Sequence, residues 1–270
     1  MYILIFAFIF LLGTIIGSFL NVVIYRFNTG MSVVKGRSIC MTCNRYLRWY
    51  ELIPVFSFLI QSGKCRRCAS RISHQYPLVE LLTGLVFVLI TYKFLPILAL
   101  SMGLYLLLVV MTVFIFCLLI VISVYDLRHK IIPDPLVFTF IIISFLSIFI
   151  NQTGLGSLFI MPSYLNLVAG LIFSIPFVLL WYFSKGRLMG LGDGKLILGL
   201  GWFLGFYAGL FALILSFWIG TVVGLILIVI SKHKMNMKTE IPFAPFLIVS
   251  LLITFIFNLN IFSLIKLFTF

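Results

Sequence analysis

Long apolar runs limit how this chain can fold more than any other feature of its sequence. The runs at residues 2–24 and 96–124 contain no charged side chain, and a helix needs only about 17–25 apolar residues to cross a bilayer. Hydrophobic residues make up 63% of the chain and charged residues 9%, whereas soluble domains are about half apolar and about a quarter charged. The chain is therefore predicted to be embedded in a membrane.

The order of the runs predicts an all-α polytopic membrane protein with about eight transmembrane helices. We expect a first transmembrane helix at 1–24, a small cytoplasmic loop domain at 25–76 and a main transmembrane domain at 77–270. The predicted crossings are residues 2–24, 77–92, 96–124, 136–150, 165–183, 196–210, 211–230 and 242–257. The division between the sixth and seventh runs, near Gly209, has only glycines to mark it.

Basic residues predict the orientation of the chain, because they collect in the cytoplasmic loops of membrane proteins. If the long polar loop is cytoplasmic, alternating crossings place the later basic clusters on the same side. These clusters are Arg128/Lys130, Lys185/Arg187/Lys195 and Lys232/Lys234/Lys238. Of the 19 Lys and Arg residues, only Lys93 and Lys266 then lie outside. This distribution accounts for the net charge of +13 without a nucleic-acid partner.

Four cysteines in the polar loop have the spacing of a zinc site. The two C-x-x-C pairs are Cys40/Cys43 and Cys65/Cys68. Together they supply the four thiolates of a closed tetrahedral site, and disulfides are rare in the cytoplasm. One structural zinc per chain is therefore predicted, with two redox pairs or incidental thiols as alternatives. Cys117 lies within an apolar run and is expected only to pack there.

Only six carboxylates occur in the chain, so the position of each one is informative. Glu51 and Glu240 lie in or beside predicted loops and are expected to be solvated. Glu80 lies near the start of the second apolar run, where we expect a structural role. Asp134 precedes Pro135 and an apolar run, which is typical of a helix N-cap followed by proline at the first helical position.

Asp126 and Asp193 are predicted to be functional because of where they lie on their helices. Asp126 ends a run that travels inwards, where the helix dipole disfavours an anion; pairing with Arg128 is the alternative. Asp193 begins a run that travels outwards, where the dipole favours its charge. Both lie at the predicted cytoplasmic edge of the bilayer, and two carboxylates in contrasting environments are typical of acid–base chemistry.

Three glycines surround Asp193, at Gly190, Gly192 and Gly194. Glycine tolerates unusual backbone angles and lets another backbone approach closely, so these residues are expected to make room for an extended peptide. A phosphate-binding loop is the alternative, but it needs a preceding strand in a soluble βα unit, which the sequence does not predict.

The sequence around these aspartates resembles the GxGD-type membrane aspartic proteases, which include presenilin and signal peptide peptidase. "YD" at 125–126 and "GLGD" at 190–193 are similar to the two motifs of that group. Further stretches resemble the bacterial type IV prepilin peptidases, in the same order along nearly the whole chain. These stretches are GSFLNVVIYR (17–26), CMTC…GKCRRC (40–68), YPLVELLTG (76–84), DLRHKIIPD (126–134), GLGDGKL (190–196) and IPFAPFL (241–247). Many members of that branch have glycine where this chain has Ala244.

The resemblance implies a bifunctional enzyme of the bacterial cytoplasmic (inner) membrane. Its catalytic residues are expected to be Asp126 and Asp193, on the cytoplasmic side. It would cleave the leader from prepilins or pseudopilins and then methylate the new N-terminus, with S-adenosylmethionine as methyl donor. Its partners are then those substrates and the lipid bilayer.

Three alternatives remain on the sequence alone. The first is an intramembrane protease of the signal-peptide-peptidase kind, which the cysteine-bearing loop disfavours. The second is a transporter with a zinc-ribbon loop, in which Asp126 and Asp193 relay ions and no peptide is cut. The third is a non-catalytic membrane assembly factor, in which asparagine at either position would be silent.

Overall fold

The computed structural model describes residues 2–151, 157–230 and 241–262. The helices in this part of the chain are α1 (Tyr2–Arg26), α2 (Phe56–Ile60), α3 (Gln75–Leu98), α4 (Met102–His129), α5 (Asp134–Ser147), α6 (Tyr164–Ser184), α7 (Leu191–Leu204), α8 (Phe206–Ile230) and α9 (Ala244–Phe257). Within the same ranges β structure is limited to isolated bridges, so the all-α prediction is confirmed there. The predictions for Lys232, Lys234, Lys238, Glu240 and Lys266 fall outside the described residues.

Five of these helices, α1, α3, α4, α6 and α8, are long and apolar enough to cross a membrane. The others that correspond to predicted crossings are α5, α7 and α9, each of 14 residues. A helix of that length covers about 21 Å, less than the roughly 30 Å of a hydrocarbon core. The described residues therefore support a multi-pass membrane protein but do not confirm the count of about eight crossings.

The break between α7 and α8 lies at Gly205 rather than near Gly209, where the sequence predicted it. Gly205 has a φ of 75°, a left-handed conformation that glycine adopts without steric cost. The side chain of Asn166 accepts a hydrogen bond from the N–H of Phe206 at 3.1 Å, which satisfies one of the free donors at the start of α8. Gly209 lies inside α8 and faces the ring of Phe173.

The chain divides into two compact units. The first comprises Met1–Pro96 and Tyr105–Val121, and the second comprises Ile97–Leu104 and Ile122–Phe270. In the first unit α1 and α3 meet through glycines, since a Cβ added at Gly13 would lie 2.7 Å from the Cα of Gly84. Close contact between small residues is typical of packed membrane helices. The four loop cysteines belong to this first unit.

In the second unit α7 packs tightly against two neighbouring helices. A Cβ added at Gly201 would lie 2.7 Å from the Cα of Gly170 in α6, and one added at Gly199 would lie 2.5 Å from Cε1 of Phe140 in α5. Glycine is needed at these positions because backbone and ring occupy the space of a side chain. These contacts fix the helix that carries Asp193.

We expect Gly201→Ala to destabilise the protein by about 1–3 kcal/mol, because the added methyl group meets helix backbone that cannot move aside locally. The matched control is Gly103→Ala in α4, where nothing lies within 4 Å of the added Cβ and alanine is the better helix former. Thermal unfolding in detergent measures both variants. Equal midpoints would contradict the packing of α6 on α7.

Candidate functional site

Asp126 lies in the last turn of α4 and is only 5% exposed. The backbone N–H of Ala244, the first residue of α9, donates a hydrogen bond to its carboxylate. Its Oδ2 is buried and has no hydrogen-bond partner among the described residues. Because the donor is a backbone group, alanine at 244 makes the same contact that glycine would make.

Asp193 lies in the first turn of α7, three residues after the N-cap residue Gly190. The backbone of Gly190 donates a hydrogen bond to its carboxylate. Its Oδ1 is buried and, within the described ranges, accepts no hydrogen bond. The predicted placements, Asp193 at a helix N-terminus and Asp126 at a helix C-terminus, are both confirmed.

The second unit brings the two aspartates together. The charge of Asp126 acts on the carboxyl group of Asp193, and each residue keeps one buried oxygen without a described donor. Two neighbouring carboxyl groups do not both ionise readily, so a pair of this kind is able to hold one proton between them. Such a pair can activate a water molecule with one group and protonate a leaving group with the other.

The glycines around Asp193 act differently from the sequence prediction. Gly190, Gly192 and Gly194 are absent from the described glycines with positive φ, so none of the three is required for a left-handed backbone angle. Room for an extended peptide remains a prediction, and the close neighbours of these glycines belong to this chain. A Cβ added at Gly192 would lie 2.8 Å from Cβ of Ile132, in the loop between α4 and α5. The glycine thus keeps that loop close to the start of α7.

Asp134 does not cap α5 with its side chain, which corrects the sequence prediction. Pro133 occupies the N-cap position, and the cap has no side-chain hydrogen bond. Instead Oδ1 of Asp134 lies 2.7 Å from Nζ of Lys195, and that ammonium lies 5.1 Å from the ring centre of Phe138. The sequence analysis assigned Lys195 only to a cytoplasmic basic cluster and did not predict this ion pair, which joins residues 61 positions apart.

The two glutamates described in the first unit are both buried. Contrary to the expected solvation, Glu51 is 6% exposed and accepts hydrogen bonds from the Arg45 guanidinium at 2.6 Å and the Arg48 N–H at 2.8 Å. Burial acts to raise the pKa of Glu51, but these hydrogen bonds outweigh it and hold the pKa below its usual value. Glu80 accepts a hydrogen bond from the N–H of Val55 at 2.8 Å, a contact in keeping with the expected structural role.

The four loop cysteines form one cluster that could hold a metal ion. Their Sγ atoms all lie within 4.8 Å of one another. The members are Cys40, Cys43, Cys65 and Cys68. Cys117 lies in α4, is half-buried and is not a member of this cluster.

Two equivalent turns present the cysteine pairs to each other. In each turn the N–H of the first cysteine donates a hydrogen bond to the carbonyl of the residue five positions later. The N–H of the residue four positions later donates a second hydrogen bond to the carbonyl of that cysteine. All of these hydrogen bonds are 2.9 Å long. The residue after the second cysteine, Asn44 or Ala69, has a positive φ of 50° or 54°. The repeated turn explains how two separate C-x-x-C pairs supply sulfurs to one point.

Cys40 has the chemistry of a metal ligand. The backbone N–H of Cys43 donates a hydrogen bond to its sulfur, which is the largest influence lowering the pKa of Cys40 to about 6. The thiolate is the form that binds metals. The sulfurs of Cys40 and Cys68, which belong to different pairs, are 3.8 Å apart. The arrangement therefore fits a four-thiolate metal site better than two independent redox pairs.

Family models match both parts of the chain. A model described as the Bacterial Peptidase A24 N-terminal domain matches residues 11–94, and one described as the Type IV leader peptidase family matches residues 113–225. The second match includes Asp126 and Asp193. The resemblance drawn from the ordered motifs is confirmed.

Relatives named "Prepilin leader peptidase/N-methyltransferase" are similar over most of the chain. The protein of Myxococcus xanthus (strain DK1622) is 33% identical over 87% of this chain and 66% of its own length. The protein of Bacillus subtilis (strain 168) is 30% identical over 94% of this chain and 95% of its own length. The protein of Aeromonas salmonicida (strain A449) is 30% identical over 91% of this chain and 88% of its own length. No solved structure matches. The chain belongs to the type IV leader peptidase family.

Proposed function

We propose that this chain is a membrane endopeptidase that removes the leader from type IV prepilins or pseudopilins and then N-methylates the new N-terminus. The observation that best supports this proposal is the pair of neighbouring carboxyl groups of Asp126 and Asp193. Each has a buried oxygen that accepts no described hydrogen bond. The pair lies within the match to the Type IV leader peptidase family. The relatives are named for both reactions.

In the proposed cleavage the two carboxyl groups act as base and acid. The ionised carboxylate takes a proton from a water molecule, whose oxygen attacks the scissile carbonyl carbon. The protonated carboxyl group hydrogen-bonds to the carbonyl oxygen and then gives its proton to the leaving amine. The proton gained from water replaces the one given away, so the pair returns to its starting state.

The loop cysteines are proposed to hold one structural zinc ion per chain. Four thiolates fill the coordination shell and leave no open position for substrate, so the metal supplies stability to the loop rather than catalysis. The proposed N-methylation uses S-adenosylmethionine, which supplies the methyl group that the free N-terminal amine accepts.

The carboxylate pair is proposed to face the cytoplasm from the bacterial inner membrane. Arg128 follows Asp126 closely and Arg187 precedes Asp193, and basic residues favour the cytoplasmic side. The same rule assigns the strongly basic loop domain at 25–76 to that side. We also propose that the short helices α5, α7 and α9 lie in the bilayer with the five long ones.

Mass spectrometry of a synthetic prepilin tests the proposal. The purified protein in detergent is incubated with the prepilin, with and without S-adenosylmethionine, and with no ion gradient. We expect loss of the leader mass in both samples and one further methyl increment only with the methyl donor. An uncut prepilin would favour the transporter or the assembly factor over an enzyme.

The purified protein is expected to carry about one zinc ion per chain, because the four sulfurs form a single cluster. Elemental analysis after purification in metal-free buffer measures the content. A metal-free protein with a disulfide between Cys40 and Cys43 would contradict this and favour redox chemistry.

Asp134→Asn is expected to leave the cleavage rate within a few-fold of the native rate. The side chains of Asp134 and Lys195 are 58% and 23% exposed, and such partly exposed ion pairs contribute only about 0–1 kcal/mol. Cleavage assays at matched protein levels measure the effect. A well-folded but inactive variant would mean that Asp134, and not Asp126, is the catalytic residue of its segment.

A further inference from the structure

The cysteine-bearing loop carries an exposed set of apolar side chains, which we call the apolar face. Its members are Trp49, Leu52, Ile53, Phe56, Leu59 and Ile60, with exposed fractions of 77, 41, 40, 57, 64 and 71%. The last three share one side of α2, because residues three and four apart are neighbours on a helix. Phe58 differs and contacts the ring of His74, with centroids 5.4 Å apart. Contiguous exposed apolar side chains mark interaction sites.

Glu80 fixes the height of the apolar face relative to a membrane helix. Its Oε2 accepts the N–H of Val55 at 2.8 Å, and Val55 directly precedes α2. Glu80 lies in the second turn of α3, one of the helices able to span a membrane. Two turns measure about 11 Å, and the headgroup region outside the hydrocarbon core is about 5–8 Å thick on each side. If α3 enters the headgroup region at its first turn, this contact holds the start of α2 close to headgroup level.

The backbone at Val55 fixes the direction in which α2 leaves this point. Val55 has φ 62° and ψ −54°, and the N–H of Phe56 donates to the carbonyl of Pro54 at 2.6 Å. This γ-turn with positive φ is rare, and it is strained for a β-branched residue. Such a conformation persists only where its surroundings impose it. The hydrogen bond to Glu80 is one such constraint.

The exposed charge of the loop is entirely positive. Glu51 is the only carboxylate between residues 25 and 76, and it is buried against Arg45. The guanidinium of Arg66 lies 5.1 Å from the ring centre of Tyr50, beside Trp49. The exposed cations nearest in sequence to the apolar face are Arg48, Lys64, Arg66 and Arg67.

We propose that the apolar face inserts into the headgroup region of an anionic bilayer and holds the metal-binding loop against the membrane. Aromatic and aliphatic side chains beside Lys and Arg are the composition of interfacial anchors, and anionic headgroups attract such cations. A protein partner would require neither the headgroup-level position nor the uniform charge. This anchoring goes beyond the proposed cleavage and methylation.

Photocrosslinking of the full-length protein tests the proposal. A benzophenone amino acid replaces Ile60, and the protein is irradiated in vesicles of phosphatidylglycerol and phosphatidylethanolamine. We expect adducts with lipid, identified by mass spectrometry. The control replaces Met41, which is also exposed (60%) but lies in a cysteine turn; we expect several-fold less lipid adduct there.

Charge is tested with the Arg48→Gln/Arg66→Gln variant or with phosphatidylcholine vesicles. Either change should lower the lipid adduct at Ile60 several-fold, and unchanged yields would overturn the anionic preference. Equal yields of lipid adduct at positions 60 and 41 would overturn the anchoring itself. An adduct at position 60 with added prepilin, or with a second copy of the chain, would overturn it as well. Metal content is checked for each protein, and the label is moved to Leu59 if the Ile60 variant does not fold.

Discussion

Replacing either Asp126 or Asp193 with asparagine is expected to reduce prepilin cleavage about 10²–10⁴-fold. Asparagine keeps the size of the side chain but can neither take a proton from water nor give one to the leaving amine, and general acid–base catalysis is worth that factor. Both carboxyl groups belong to one buried pair, so the loss should be large at each position. Cleavage rates of the purified variants measure it.

Asp134→Asn is the matched control, because it makes the same chemical change in the same sequence segment. Its carboxylate is exposed and pairs with Lys195, so we expect nearly native rates at equal abundance. Full activity of Asp126→Asn, with its folding confirmed, would remove that residue from the proposed mechanism.

If the loop supports N-methylation, the double change Cys40→Ser/Cys43→Ser is expected to abolish methyl transfer and to slow cleavage only several-fold. Removing two of four ligands should release the metal and unfold the loop, since small metal domains depend on their ion. The aspartates lie in the other compact unit, so their chemistry should survive. Mass spectrometry of one prepilin reports both reactions, as leader loss and methyl gain.

Cys117→Ser controls for the loss of a thiol as such, because Cys117 lies in α4 outside the cluster. We expect it to retain the metal and both activities. If Cys40→Ser/Cys43→Ser stopped cleavage as completely as Asp193→Asn, the loop would be part of the peptidase rather than an accessory to it.

Local sequence patterns predicted the features that depend on short stretches of chain. Apolar runs predicted helices because a helix satisfies its own backbone groups within the segment. The C-x-x-C spacing predicted the clustered sulfurs because each pair lies in one turn. The C-terminal end of α4 and the N-terminal end of α7 could likewise be placed from the aspartates and the basic residues beside them.

Contacts between distant segments could not be predicted in the same way. The N–H of Ala244 that contacts Asp126 is a backbone group, which no side-chain pattern marks. Glu51 looked solvated because its loop is polar, but the fold buries it against Arg45. The three short helices α5, α7 and α9 have 14 residues each, close to the length of their apolar runs, but the α7 run is displaced along the chain because the break at Gly205 depends on a contact with the distant Asn166.

Cleavage rates of Asp126→Asn, Asp193→Asn and the double variant, measured side by side on one prepilin, test the central claim most directly. Groups that act as a unit show non-additive losses. If the two carboxyl groups are one acid–base pair, the double variant should be about as slow as the slower single variant. A double variant slowed by the product of the two single losses would contradict the account, because the aspartates would then act independently.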